Sequence, residues 1–286
     1  MGEGAVESVV RPEERRDAHK RASPSAAVVY EAIRSEGNDE LARSTAALAW
    51  SGIAAGLSMG FSLVAQGLLR AHLPDATWSP LLWRLGYTMG FLVVVLGRQQ
   101  LFTENTLTAI IPLLAPAGKG DPPRAKVANV ARLWVVVLAS NLVGALLFAW
   151  AVARTGTFAP DVRRAFDAIC LDAMQASAAT NLLRGVFAGW LIALMVWLLP
   201  VARTSRVTVI MLITYLVGLG HLTHVVAGAV EVFYLPFRGM AGFAHVLGHY
   251  VGPALVGNVI GGVTLTAALN HAQVVAGGAR PSKTAS

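Results

Sequence analysis

The feature that most constrains this chain is a series of apolar runs, each about 20 residues long and almost free of charge, spread between residues 46 and 269. A helix rising 1.5 Å per residue needs about 20 residues to cross a hydrocarbon core of roughly 30 Å. Repeated runs of that length point to an all-α integral membrane protein. Charge supports the same reading. Only 14% of the 286 residues are charged and mean hydropathy is +0.57, whereas soluble domains carry about 25% charged residues. Residues 1–43 hold nine of the sixteen acids and seven of the twenty-three Lys and Arg, which leaves long stretches nearly bare. A bilayer imposes that asymmetry, because a charge at its centre costs roughly 2.5–3.5 kcal/mol on insertion scales.

Six spans are predicted: about Ala46–Leu69, a second from Leu81, Leu133–Ala153, Val186–Val201, Val207 to about Ala229, and Val251–Leu269. The second is interrupted at Gly97-Arg98-Gln99-Gln100, and an apolar piece, Leu107–Leu114, follows before the turn-rich Pro116–Pro123. Pro160–Asn181 is amphipathic and reads as an interfacial helix. The chain divides into an N-terminal tail (1–44) with an amphipathic segment over Pro24–Leu48, a transmembrane domain (45–272) and a C-terminal tail (273–286). The N-terminal segment suits either a helix lying on the membrane over the pore or a packing helix.

The loops that six spans place with the termini hold fifteen Lys and Arg, against seven on the other face, so both termini are expected in the cytoplasm of a bacterial inner membrane. No apolar core precedes residue 40, so the first span is expected to act as the insertion signal. The net charge of +7 sits at helix ends, which argues against a nucleic-acid partner. A single cysteine, Cys170, excludes an internal disulfide or a multi-cysteine metal site. His245 and His249 have chelating i, i+4 spacing but no third ligand nearby, and read as interfacial. No metal or cofactor is expected. Glu231, at the end of the fifth span, reads as an interface anchor.

The spans repeat. The third holds Asn141-Leu-Val-Gly144-Ala145 and the sixth Asn258-Val-Ile-Gly261-Gly262, while Ala55-Gly56 in the first matches Ala188-Gly189 in the fourth. Small residues alone are explained by close helix packing, but an amide in hydrocarbon needs partners. Two three-helix units in order require the second to enter the membrane upside down, a plan that puts a binding site where the halves meet. The middle helix of each half is the polar one. Span two carries Leu101-Phe102-Thr103-Glu104-Asn105-Thr106, and span five carries Gly220-His221-Leu-Thr223-His224. Such segments are tolerated only where broken backbone is buried or lines a cavity. Both are therefore predicted as broken helices, an architecture like that of aquaporins. A mid-membrane His can offer a proton or a hydrogen bond to an entering anion, and a neutral weak acid crosses apolar constrictions more cheaply than its anion.

These segments resemble the formate/nitrite transporter family. Leu101-Phe102-Thr103-x-Asn-Thr is similar to its signature loop, Thr223-His224-Val-Val-Ala-Gly to its central-histidine segment and Gly257-Asn258-Val-Ile-Gly261-Gly262 to its sixth-helix motif. The resemblance covers about residues 25–272. It implies a homopentamer whose protomers each conduct small monovalent anions such as formate or nitrite, with protonation assisted at the central His224, a facing Thr103, and a constriction at Leu101 and Phe102. Placed by spacing from those motifs, Tyr87, Phe91, Ile192 and Val217 become candidate pore-liners, beside Asn141, Asn258, Glu104 and Arg98.

Departures place the chain nearer a divergent inner-membrane branch, the YfdC-like proteins. Gly189 stands where many members have Asn, and Leu171–Gln175 lacks the Lys that many place there. Glu104 is acidic in a loop of small residues, with Arg98 as its expected partner. Two rivals remain. Gly56-Leu-Ser58-Met-Gly60 fits G-x-S-x-G and would suit an intramembrane serine protease, but the nucleophile elbow requires a strand–turn–helix context and this motif lies mid-helix. A channel for small neutral solutes shares the architecture but has the paired Asn-Pro-Ala loops, which this chain lacks.

Overall fold

A computed structural model describes residues 24–114 and 123–278. The expected features at residues 1–23, the 115–122 turn and the tail beyond 278 lie outside the described residues. Every regular element among the described residues is helical. The helices are α1 (Ala26–Ala42), α2 (Thr45–His72), α3 (Ser79–Leu96), α4 (Phe102–Thr108), α5 (Pro123–Arg154), α6 (Pro160–Ala173), α7 (Ala178–Ala202), α8 (Arg206–Leu219), α9 (Val225–Phe237) and α10 (Phe243–Ala276). Thr45–His72, Ser79–Leu96, Arg124–Arg154, the Ala178–Leu219 stretch and Phe243–Ala276 are long and apolar enough to cross a membrane. The Ala178–Leu219 stretch is divided at Arg203–Ser205, and the apolar α9 is shorter.

Both expected breaks are present. The second span stops at Leu96 and resumes at Phe102, and the fifth stops at Leu219 and resumes at Val225. Several predicted boundaries are corrected, the third span among them, which starts at Pro123 instead of Leu133. The interfacial helix ends at Ala173 instead of Asn181, and the fourth span starts at Ala178 instead of Val186. Ser177 caps that start, its Oγ accepting from Thr180 N at 3.1 Å. Asn181 is tolerated inside α7 because its Nδ2 donates to His249 O at 3.0 Å. The sixth helix begins at Phe243, not Val251, and two wider π-helical stretches, Leu247–Val251 and Ile260–Ala268, flank the turns that hold Asn258.

Packing follows the small residues. α2 lies along α5 and α7 along α10. A Cβ added at Gly56 would stand 2.9 Å from Gly144 Cα, and one added at Gly189 would stand 2.6 Å from Asn258 Cα, so neither crossing admits a side chain. Glycine at 189 is therefore a requirement of this packing. Large apolar side chains such as Trp50, Val135 and Leu212 stay more than half exposed, as on a surface that faces lipid. Ser58 lies mid-way along the unbroken α2, with none of the strand–turn geometry a nucleophile elbow needs. α1 packs by Val29, Tyr30 and Ile33, and Tyr30 Oη lies 2.8 Å from His271 Nδ1 on α10.

Candidate functional site

The two breaks are built alike. Asn141 Nδ2 donates to Gly52 O (2.9 Å) and Gln100 O (2.8 Å), while its Oδ1 accepts from Phe102 N (2.9 Å). Asn258 Nδ2 donates to Gly185 O (2.9 Å) and Thr223 O (2.8 Å), and its Oδ1 accepts from Val225 N (2.8 Å). Each amide thus fastens a break to its half by three bonds and satisfies the backbone groups that the missing helical turn frees. The correspondence extends further: Arg98 and His221 both hold left-handed backbone, at φ 50° and 51°, two residues before the clamped carbonyl. Ser44 caps α2 as Ser177 caps α7.

Where the breaks meet, Thr103 Oγ1 lies 2.7 Å from His224 Nε2. His224 also caps α9, its Nδ1 accepting from Ala227 N at 3.1 Å. A backbone N–H can only donate, so Nδ1 carries no hydrogen and Nε2–H donates to the threonine. That leaves the Thr103 hydroxyl hydrogen free to reach a ligand. Phe91 stands edge-on to the imidazole, ring centroids 5.0 Å apart, and Tyr87 lies tilted against Phe91 at 5.4 Å. Leu101, Phe91, Thr103, Ile192 and His224 are almost completely buried and make a mostly apolar girdle. Phe102, also buried, leans on Trp134 of α5 at 5.8 Å.

A cavity lies on each side of the girdle. One, about 340 Å³, is lined by Glu36, Glu40, Arg98, Glu104, Arg203 and Arg206 among others. The other, about 30 Å³, is lined by Arg84, Tyr87, Asp172, Val217, His221 and Glu231 among others. They sit at opposite ends of α8, Arg206 at the first and Val217 at the second, about 17 Å apart along the helix axis. The predicted residues thus gather in sequence: Arg98 and Glu104 at the large cavity, Leu101, Thr103, Phe91, Ile192 and His224 in the girdle, Tyr87 and Val217 at the small cavity. Asn141 and Asn258 hold the backbone beside it.

Several expectations change. Arg98 does not pair with Glu104; its Nη2 donates to Glu36 Oε1 at 2.9 Å, on α1. Glu104 Oε1 is buried without a hydrogen-bond partner among the described residues. Glu231 is no interface anchor: it is 6% exposed and its Oε1 accepts from Gln66 Nε2 at 3.2 Å. His221 lies in the break itself, after α8 ends at Leu219 and before α9 begins at Val225. Its Nδ1 lies 3.3 Å from Asp172 Oδ2, and Arg84 Nη2 donates to the same oxygen at 3.1 Å. Arg84, 6% exposed with its guanidinium 4.2 Å above the Trp83 ring, was counted in the sequence as an ordinary loop charge. Only the lack of any acid near it in sequence hinted otherwise. His221 holds the Asp172 carboxyl below the usual carboxylate range, the hydrogen bond outweighing the opposite effect of burial. His245 and His249 stack at 5.0 Å, and His249 Nε2 lies 2.8 Å from Ala176 O, a structural contact.

Residues 27–272 match the family model described as formate/nitrite transporter. Over 252 residues the chain is 42% identical to the inner membrane protein YfdC of Escherichia coli (strain K12), an alignment covering 88% of this chain and 80% of that protein. Its backbone resembles a pentameric formate channel with formate bound at TM-score 0.65 and 19% identity, covering 85% of this chain and 99% of that one. It also resembles an FNT family ion channel at TM-score 0.64 and 20% identity, covering 90% and 97%. At such identities the two structures speak for the fold, which is that of these channels. With the family model spanning nearly all the described residues and a relative at 42% identity beside it, the chain belongs to the formate/nitrite transporter family.

Proposed function

We propose that the chain is a membrane channel or transporter for small monovalent anions of the formate and nitrite class, or for their weak acids. The observation that carries this is the Thr103–His224 hydrogen bond, sealed in an apolar girdle between two cavities at opposite ends of α8. A small solute meets one hydroxyl hydrogen there, oriented because Thr103 Oγ1 already accepts from the imidazole. A single donor surrounded by Leu101, Phe91 and Ile192 suits one small acceptor group and offers nothing to a large or multiply charged solute. Capping α9 commits Nδ1, so His224 acts in this reading as a fixed hydrogen-bond donor in place of the protonatable group expected from the sequence.

The two halves are taken as inverted copies, which three spans apiece require, with both termini cytoplasmic and α1 covering the larger, cytoplasmic cavity. The resemblance to a pentameric channel supports a homopentamer with one pathway per protomer, in a bacterial inner membrane like that of the YfdC relative. A neutral-solute channel is the second reading, favoured by the three carboxylates Glu36, Glu40 and Glu104 at one mouth, which repel anions unless paired. Stopped-flow measurements on proteoliposomes separate the two. The anion reading expects formate and nitrite flux well above protein-free vesicles and none for glycerol or urea. The reverse pattern rejects it.

A further inference from the structure

The girdle contains no group free to hold a proton, although a small anion crosses an apolar constriction cheaply only as its neutral acid. His224 uses both ring nitrogens: Nδ1 accepts from Ala227 N and Nε2 faces Thr103 Oγ1. Protonating Nδ1 would set two N–H groups against each other and undo the first turn of α9. The larger cavity offers another group. Glu104 follows Thr103 directly in the chain and lines that cavity, whose other charged residues are Glu36 and Glu40 from α1, Arg98 from the break, Arg203 from the turn after α7 and Arg206 from the start of α8. Two of the three carboxylates are engaged. Glu36 accepts from Arg98 at 2.9 Å, and Glu40 accepts from Arg43 at 3.1 Å and from Gln100 Nε2 at 2.7 Å. Glu104 forms no ion pair among the described residues and its Oε1 is buried without a hydrogen bond. Arg206 Nε is likewise unbonded, so the cavity keeps a cation to attract an anion.

We infer that Glu104 is the proton-exchange site of the pathway, lending a proton to the anion at the larger cavity before it enters the girdle. The carboxylic acid gives its O–H proton to the bound anion, leaving the Glu104 carboxylate and a neutral acid. That acid passes Thr103 and His224. The carboxylate regains a proton from hydronium reaching the cavity through its open mouth. In the opposite direction an arriving acid returns its proton to the carboxylate and leaves as the anion. Each cycle moves one proton with one anion. Arg98, Arg203 and Arg206 cannot substitute, because an arginine does not release its proton in a protein.

This inference rests on the small-anion reading, and the test keeps their failures apart. Formate flux and internal pH are recorded together in proteoliposomes of the wild-type, Glu104→Gln and Glu104→Asp proteins, from acid to neutral external pH. The wild type is expected to acidify the lumen in step with formate entry, with flux rising as pH falls. Glu104→Gln, nearly the same shape, is expected to lose that pH dependence and the matched proton movement, and Glu104→Asp to restore both with a displaced profile. A Glu104→Gln protein with the wild-type pH profile and proton-to-formate ratio overturns the proposal. Should the glutamine variant not assemble, an aspartate profile identical to wild type counts against the proposal and a displaced one supports it. A wild-type protein that moves neither formate nor nitrite ends the small-anion reading and this inference with it.

Discussion

At the scale of single residues, the hydrogen bond between Thr103 and His224 makes separable demands. Thr103→Val keeps the shape and removes the hydroxyl; losing one hydrogen bond of about 1.4 kcal/mol to the solute is expected to lower formate flux roughly tenfold, and the buried His224 Nε2–H left unpaired to cost about 1–3 kcal/mol of stability. His224→Leu removes both the donor to Thr103 and the cap of α9, a cap alone being worth about 0.5–2 kcal/mol. His224→Asn retains a capping oxygen, so it is expected to unfold at a higher temperature than His224→Leu in detergent while transporting as poorly. Equal melting temperatures for the two would contradict the capping role. Asp172 gives a pH-dependent counterpart on the other face. Its carboxyl is held below the ordinary value, first by His221 and less by Arg84, so these contacts contribute stability above the unfolded carboxylate pKa of about 3.9 and lose it as pH falls through the lower, folded value. Asp172→Asn is expected to melt below wild type at neutral pH and to converge with it in strong acid.

At the scale of elements, the fold depends on two asparagines that each replace a missing helical turn. Asn258→Leu leaves Thr223 O, Gly185 O and Val225 N without their side-chain partner. At about 1–3 kcal/mol for each buried group left unpaired, the expected cost is several kcal/mol and a protein recovered in low yield; a melting temperature within a degree or so of wild type would refute the clamp. Much of this was legible in the chain. Polar residues inside apolar runs marked both breaks, and the Asn-x-x-Gly repeat marked the amides that hold them. Partners across long sequence separations were not legible. Arg98 shares the polar segment of span two with Glu104, yet it pairs with Glu36 because the break turns it toward α1. Glu231 read as an anchor because it closes an apolar run, and only the packing of α9 against α2 reveals Gln66 beside it. Helix ends failed where a tertiary contact rescues a polar residue, as His249 does for Asn181.

At the scale of the whole molecule, two similarly built breaks meet at the Thr103–His224 hydrogen bond. Along the path the charged residues among those described line the two cavities, and between them lie apolar side chains with one hydroxyl and one imidazole. The exposed apolar belt places this assembly in a bilayer, and the family places it among transporters of small anions. The two mouths differ in chemistry: a carboxyl unpaired among the described residues at the larger, and an arginine braced by Asp172 at the smaller. The most direct test is formate flux in proteoliposomes of the purified protein, compared with protein-free vesicles and with the Thr103→Val variant. The account predicts clear flux in the wild type and a roughly tenfold lower rate in the variant, from the loss of one hydrogen bond. Wild-type flux no faster than empty vesicles, or equal rates in wild type and variant, would contradict it.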